Sequence, residues 1–262
     1  MRTNNFTIVI SSCEKYRDLW LGQISLLKKH WPDLTTSIII LSDNSPMSFF
    51  MGCNVFNCGA GTSLPKRLQI IANSVKTKYI FLTLDDYMLN KDVDTKRISE
   101  LISEMENLKL DYLRLFKYPR IKKRNKISKG IYKLNLNDDY QVNLYPGLWE
   151  VNFLHAVSKT EDDPWHFEPK LTKIAKKMNA NCAATFGHEY IFIDTVRKGM
   201  FLRKGRKHLI NNNLYEGNRK LMPLHKEIYN KTRHTIRQFL PKFILYGLKK
   251  FLRLFGAKFY SD

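Results

Sequence analysis

Six mostly apolar residues, Tyr79-Ile80-Phe81-Leu82-Thr83-Leu84, run directly into Asp85-Asp86-Tyr87. A run this short, rich in Ile, Phe, Leu and Thr, predicts a strand buried on both faces. An ionised carboxylate is costly to bury unpaired, so the two aspartates must emerge where the strand ends. In open α/β sheets the C-terminal edge is where ligand crevices form. A strand that delivers acids to a crevice suits a metal or sugar-phosphate site. An acidic turn capping the next element is the simpler alternative.

The residues before this stretch supply the rest of such a sheet. Phe6-Thr7-Ile8-Val9-Ile10 predicts a buried strand closed by Ser11-Ser12. From Tyr16 to His30, apolar residues at Leu19, Trp20, Ile24, Leu26 and Leu27 follow the helical period, and Pro32 stops the run. Ser37-Ile38-Ile39-Ile40-Leu41 is a second strand ending in Ser42-Asp43-Asn44, and Val55-Phe56 a short third. The loop Gly59-Ala60-Gly61-Thr62-Ser63 opens a helix from Leu64 to Val75. Strand, helix, strand at this spacing is a βαβ unit with parallel pairing and a right-handed crossover. The alternation predicts an α/β fold with a doubly wound nucleotide-binding sheet. Ser11, Ser12, Asp43, Asp85 and Asp86 all fall where strands stop, so one nucleotide at that edge would reach all of them.

Further on, a helix is expected from Asp92 to Leu108 and a strand from Tyr112 to Phe116. Arg120 to Lys129 is strongly basic without apolar periodicity; it reads as a solvated, mobile hairpin, with phosphate binding as the alternative. Ile131 to Leu144 reads as hairpin strands around Asn137-Asp138-Asp139, Pro146-Gly147-Leu148-Trp149 as a turn carrying an aromatic, and Asn152 to Val157 as a helix.

Composition limits the function classes. The 262 residues, 44% of them hydrophobic, hold a substantial core in one large domain or two small ones. No run of about 18 apolar residues predicts a transmembrane helix, and the N-terminus lacks the pattern of a signal peptide. Cys13, Cys53, Cys58 and Cys182 form no CxxC pair and are expected as reduced thiols in a cytosolic protein. His188-Glu189 lacks the second histidine of a zinc-protease helix. The net charge is +20, and from Arg197 onward there are 17 Lys/Arg against 3 Asp/Glu. Such a block implies an anionic partner: a membrane surface, nucleic acid or a phosphorylated substrate. Phe243, Ile244, Leu248, Phe251, Leu252, Phe255 and Phe259 fall on one helical stripe, flanked by Lys249, Lys250, Arg253 and Lys258. This is a basic amphipathic helix of interfacial type, suited to anionic lipid. A helix packed on the domain with a solvated back is the alternative.

Residues 161–168 place four carboxylates around Pro164 and Trp165. An indole beside acids suits carbohydrate, the ring stacking on the sugar and the acids bonding its hydroxyls. One such acid would serve as general base. The same Asp-Asp-Pro is also good helix-cap chemistry.

Taken in order, these segments resemble bacterial glycosyltransferases of the GT-A fold, of the family-2-like kind that build surface polysaccharides. The likeness spans residues 6–210. It rests on Thr7-Ile8-Val9-Ile10-Ser11-Ser12, Asp43, Gly61-Thr62-Ser63, the stretch from Tyr79 to Tyr87, Pro146-Gly147-Leu148-Trp149 and Lys198-Gly199-Met200-Phe201. Asp162-Asp163-Pro164-Trp165-His166-Phe167-Glu168 is similar to that family's Glu-x-Pro-Trp-x-Phe-Glu pattern. The resemblance implies transfer of a sugar from a nucleotide donor, a uridine diphosphate sugar first among them, to a glycan or lipid-linked acceptor, with inversion. Ser11, Ser12 and Asp43 would then hold the nucleoside, and Lys66 or Arg67 the base or diphosphate. Asp85 and Asp86 stand in the place of the acidic motif that binds a divalent ion, manganese or magnesium. Asp162, Asp163 and Glu168 would be catalytic or hold the acceptor, with Trp149 and Trp165 beside it. The sequence departs from the pattern in reading Leu84-Asp85-Asp86-Tyr87 rather than Asp-x-Asp, in Asp162 where Glu is usual, and in Tyr145 where Gln is expected.

The expectation is therefore a GT-A-like catalytic domain over 1–215 and a basic amphipathic extension over 216–262. It would be cytoplasmic, peripheral on the inner face of the membrane, with no nucleic acid partner. A nucleic-acid-binding protein is one rival, without a helix-turn-helix, zinc-finger or RNA-binding signature to support it. A nucleotidyltransferase is another, and Ser11-Ser12-Cys13-Glu14 is not the Gly-rich triphosphate loop it needs. A catalytically dead relative that binds glycans is the third.

Overall fold

The computed structural model describes residues 5–160, 164–215 and 217–239. Strand β1 (Phe6–Ser11) leads through a 3-10 turn (Glu14–Leu19) into helix α1 (Trp20–His30) and strand β2 (Ile38–Ser42). The hairpin β3 (Phe49–Phe50) and β4 (Cys53–Asn57) precedes α2 (Leu64–Ser74), β5 (Tyr79–Leu84) and β6 (Tyr87–Leu89). Next come α3 (Thr95–Asn107), β7 (Tyr112–Arg114) and the hairpin β8 (Lys126–Ser128) and β9 (Ile131–Lys133). Strand β10 (Gly147–Glu150), α4 (Val151–Val157), α5 (Pro164–Lys177) and β11 (Cys182–Ala184) follow. The described chain closes with β12 (Phe192–Asp194), β13 (Val196–Arg197), β14 (Met200–Phe201), α6 (Arg203–Asn211) and α7 (Leu224–Phe239).

One sheet of ten strands runs β3-β4-β2-β1-β5-β10-β7-β11-β9-β8. Strands β4, β2, β1 and β5 pair in parallel, as the βαβ reading requires. Strand β10 enters antiparallel between β5 and β7, and β11 is parallel to β7. Successive residues of β1 feed opposite faces: Ile8 and Ile10 join the apolar layer of α1 and α3, while Val9 joins that of α2, α4 and α5. Both faces are covered, which is why the central strands are apolar without alternation. Helix starts are capped by side-chain oxygens, Asp94 accepting from Arg97 N at 2.9 Å and Glu150 from Phe153 N at 2.8 Å.

Two expectations are corrected. The hairpin lies at Lys129-Gly130, joining β8 to β9, and not around Asn137-Asp138-Asp139; Gly130 takes φ 75°, the left-handed conformation such a turn needs. Residues 147–150 are not a turn but a strand between β5 and β7, with Gly147 placed where a Cβ would stand 3.1 Å from the Leu113 carbonyl oxygen. Contacts also continue past the expected boundary at 215: Leu221 bridges Phe201, and Arg219 reaches Asp18. Among the described residues no helix is long and apolar enough to cross a membrane. The tail stripe from Phe243 to Phe259 lies outside the described residues.

Candidate active site

The parallel strands β2, β1 and β5 end side by side, and their last residues share one sheet edge, where open α/β sheets form ligand crevices. Beyond β5, Asp85 is buried, its backbone N–H donating to the Ser11 carbonyl at 3.2 Å. Ser12 Oγ donates to Asp85 Oδ2 at 2.5 Å and accepts from Trp20 Nε1 at 2.7 Å. Ser11 and Ser12, expected to touch a nucleoside, are thus both buried, and the Ser12 hydroxyl is committed to positioning Asp85. Burial pushes the Asp85 carboxyl up to about 7, against the Ser12 hydrogen bond and the charges of Arg219 and Arg67.

Asp86 is the more ligand-ready acid. Its Oδ1 is buried without a hydrogen-bond partner, and its carbonyl accepts from Thr195 N at 2.9 Å. Burial raises its pKa well above the usual carboxylate range, with Asp85 and then Asp194 adding to the rise. Asp194 comes from β12, which pairs with β6 so that Asp194 stands opposite Tyr87. Arg197 Nη2 donates to Asp194 Oδ2 at 2.5 Å. This acid–arginine pair beside Asp86 was not anticipated: only the pairing of two short strands a hundred residues apart brings it there.

Asp43 stands on the same edge, directly after β2. Its Oδ1 accepts from Glu14 N at 2.8 Å and Asn44 N at 3.0 Å, tying β2 to the 3-10 turn after β1. Of the two expected cations, Arg67 faces inward. It donates to the Thr62 carbonyl at 2.7 Å, its Nε is buried and unpartnered, and its charge opposes the burial-driven rise of the Cys13 and Cys58 thiols. Lys66 is exposed and donates to Gln69 Oε1 at 2.9 Å on the outer face of α2. A second arginine, Arg219, donates to both oxygens of Asp18 at 2.6 Å, with its guanidinium 4.3 Å over the Tyr16 ring. It straps the segment after α6 over the 3-10 turn.

Beside the acids lies an aromatic cluster. Tyr87 and Phe192 approach to 4.4 Å between ring centres, and Phe116 and Tyr145 to 4.1 Å. All four are half-buried. A cavity of about 190 Å³ opens between Phe116, Phe192, Phe186 and the Gly187-His188 turn. Trp149 is corrected as an acceptor contact: it is fully buried, its ring 4.3 Å from that of Tyr112 and 5.9 Å from that of Phe153, with no face left for a sugar. Glu168, on α5, accepts from Leu144 N at 3.1 Å and is raised in pKa by burial, so it anchors the segment carrying Tyr145. Asp162 and Asp163 lie outside the described residues, as does the side chain of Trp165. Among the described residues no three His, Cys, Asp or Glu gather to hold a metal ion.

An α/β sheet with parallel strands β4-β2-β1-β5, β10 reversed between β5 and β7, and acids at the end of β5 defines a GT-A-like fold. S. aureus TarS 1-349 in complex with UDP-GlcNAc is a solved structure of that kind, covering 75% of this chain and 60% of its own at 11% identity and a TM-score of 0.51. TarS in complex with UDP covers 73% of this chain and 60% of its own at 13% identity and a TM-score of 0.46. The bifunctional IspDF from Campylobacter jejuni covers 72% and 52% at 12% identity and a TM-score of 0.43. The chain thus spans about 60% of the length of the TarS chain it first matches. No protein-family model matches the sequence, and no curated protein matches it.

Proposed function

We propose that the protein transfers a sugar from a nucleotide-sugar donor to an acceptor hydroxyl. The observation that supports this reading is that Asp85 and Asp86 follow β5 in a GT-A-like sheet, with Asp43 at the end of neighbouring β2 and Arg67 near enough for its charge to act on Asp85. The TarS neighbour was solved with UDP-GlcNAc, which makes a uridine diphosphate sugar the first donor to test.

In this reading Asp43 and the loop before α2 receive the nucleoside, and Arg67 reaches the diphosphate. The buried, unpartnered Oδ1 of Asp86 fits a divalent cation, with Asp85 next to it. Magnesium-type ions are commonly held by one or two carboxylates completed by substrate phosphates, so a third protein ligand is not required. A bound cation would neutralise charge on the departing diphosphate. The anomeric carbon loses its bond to the diphosphate oxygen and gains one to the acceptor oxygen, whose proton passes to a base. Asp162 or Asp163 keeps that base role on the strength of the resemblance. The aromatic group of Phe116, Tyr145, Tyr87 and Phe192 replaces Trp149 as the surface for the acceptor sugar, since aromatic faces stack on sugar rings. A glycan or lipid-linked acceptor, inversion, and a place on the inner membrane face belong to the same proposal.

The test is a thermal-shift panel of UDP-, GDP-, CMP- and dTDP-sugars, each with and without manganese or magnesium. A ligand that binds only the native state raises its stability, by about 2.7 kcal/mol at a hundredfold excess over Kd. One nucleotide should stabilise the chain, and Asp86→Asn should remove the metal-dependent part. No shift with any nucleotide sinks the reading.

A further inference from the structure

We propose that the β8–β9 hairpin and the turn before it are a docking surface for an anionic phospholipid bilayer. The proposal rests on the membrane placement in the sugar-transfer reading and assigns it to a face that does not include the donor site.

Residues 117–133 carry eight Lys or Arg and no Asp or Glu. Among the described residues no carboxylate forms an ion pair with any of them. Six Lys or Arg among the described residues outside this segment pair with acids: Arg17, Lys78, Arg97, Arg197, Arg203 and Arg219. Lys122, Arg124, Lys126 and Lys133 are exposed and surround a depression of about 410 Å³ with Asn125 and Asn135 on its rim. Like charges held around a concavity repel one another unless an anion enters. A phosphate headgroup, accepting from lysine and arginine donors, is of the chemistry that fits.

One further observation favours a bilayer over a soluble polyanion, and a second places the hairpin in the fold. Ile127, 37% exposed, sits between Lys126 and Lys129 at the open edge of the ten-stranded sheet. Lysine alone suffices to blunt an edge strand; an outward isoleucine among lysines gains only where apolar contact is available, as at a lipid interface. The register supplies the second. Strand β7 runs parallel to β5, and β9 is antiparallel to β11 with Tyr132 opposite Ala184. The Lys129-Gly130 tip and the loop leaving β7 therefore lie at the sheet edge that carries Asp85 and Asp86. The basic depression, at the start of β8 and the end of β9, lies at the other end of the hairpin from that tip.

The experiment is vesicle co-sedimentation of the full chain with phosphatidylglycerol/phosphatidylcholine and with pure phosphatidylcholine vesicles. Two variants are compared with the wild type: K122Q/R124Q/K126Q/K133Q, and I127S. Affinity for the anionic vesicles should fall at least tenfold in the first and several-fold in the second, with circular dichroism unchanged. Binding to pure phosphatidylcholine should be absent. Full anionic-vesicle affinity in either variant overturns the proposal. So does loss of single-strand oligonucleotide binding in the quadruple variant with vesicle binding intact, which would assign the face to nucleic acid. Nucleotide thermal shifts on the same variants report separately on the crevice, so failure here leaves the sugar-transfer reading to its own test.

Discussion

Asp85 shows how much a single buried carboxyl governs at this site. Its pKa in the folded chain is raised from the ordinary 3.8 to about 7. Below the ordinary value both folded and unfolded chains hold the proton, and its stabilising effect is fully present. As pH rises through the window up to about 7, the native state holds a proton that the unfolded chain has released, so stability falls. Each unit of raised pKa is worth roughly 1.4 kcal/mol. The ligand-free protein should therefore lose Tm between about pH 4 and about pH 7, and Asp85→Asn should lose less over the same span. Equal slopes in the two proteins would show that Asp85 ionises normally. Arg114 is the other residue whose burial decides something. Fully buried at the end of β7, it donates to the carbonyls of Phe116, Pro119 and Gln141 at 2.9, 2.7 and 2.9 Å. A lysine cannot fork to three acceptors. Arg114→Lys should cost about 3 kcal/mol in urea unfolding, because buried carbonyls are left unpaired. A change under about 0.5 kcal/mol, the scatter of ordinary surface substitutions, would refute the account.

At the level of elements, helix α6 holds β12, and with it Asp194, at the crevice. The approach is close at Gly205, where an added Cβ would stand 2.4 Å from Thr195 Cα. Backbone cannot yield as a side-chain tip can, so Gly205→Ala should destabilise by about 1–3 kcal/mol. It should also weaken donor binding by moving the strand that carries Asp194. Gly22→Ala presses on the same helix more softly, since its Cβ would meet the Cδ2 of Leu209 on α6 at 2.6 Å, the end of a flexible side chain, with Met88 at ordinary contact distance. If Gly205→Ala leaves thermal unfolding and nucleotide titration unchanged, the assignment of α6 as the support is wrong. The same scale explains what the sequence could show. Strands β1, β2 and β5 and helix α2 were legible because each is a continuous apolar run or a capped helix whose signal is local. Strand β10 was not, because Pro146-Gly147 carries turn chemistry and only its neighbours β5 and β7 make it a strand. Asp85, Asp86 and Asp43 could be read from strand ends, and Arg67 only from the resemblance; Asp194, Arg197 and the aromatic cluster could not, because β6 and β12 are short and their pairing has no local mark. The hairpin turn had a local mark in Lys129-Gly130, but the Asn-Asp-Asp cluster a few residues later was the stronger turn signal.

For the whole molecule, charge and chain continuity meet in the segment after α6. Of the net +20, most belongs to the residues from Arg197 onward. That excess is not confined to a detachable tail: Arg219 is bound to Asp18, Arg203 Nη1 donates to Glu227 Oε2 at 2.8 Å, and Met222 N donates to the Phe201 carbonyl at 2.9 Å. A cut after Tyr215 removes Arg219 from the turn next to Asp85, whereas a cut after Phe239 removes only the phenylalanine stripe and its lysines. The first truncation should therefore lower Tm by several degrees and weaken nucleotide binding, in keeping with a loss of about 1–2 kcal/mol in a chain of this size. The second should leave both unchanged and reduce affinity for phosphatidylglycerol vesicles, by about 1 kcal/mol for each basic residue that lies at the surface. Raising the salt from low to about 0.5 M should abolish most of the difference between full-length and shortened chains, since the Debye length falls to a few ångströms. A cut after Phe239 that leaves vesicle binding untouched would transfer the whole of the membrane affinity to the body of the protein, where the β8–β9 hairpin would have to supply it alone.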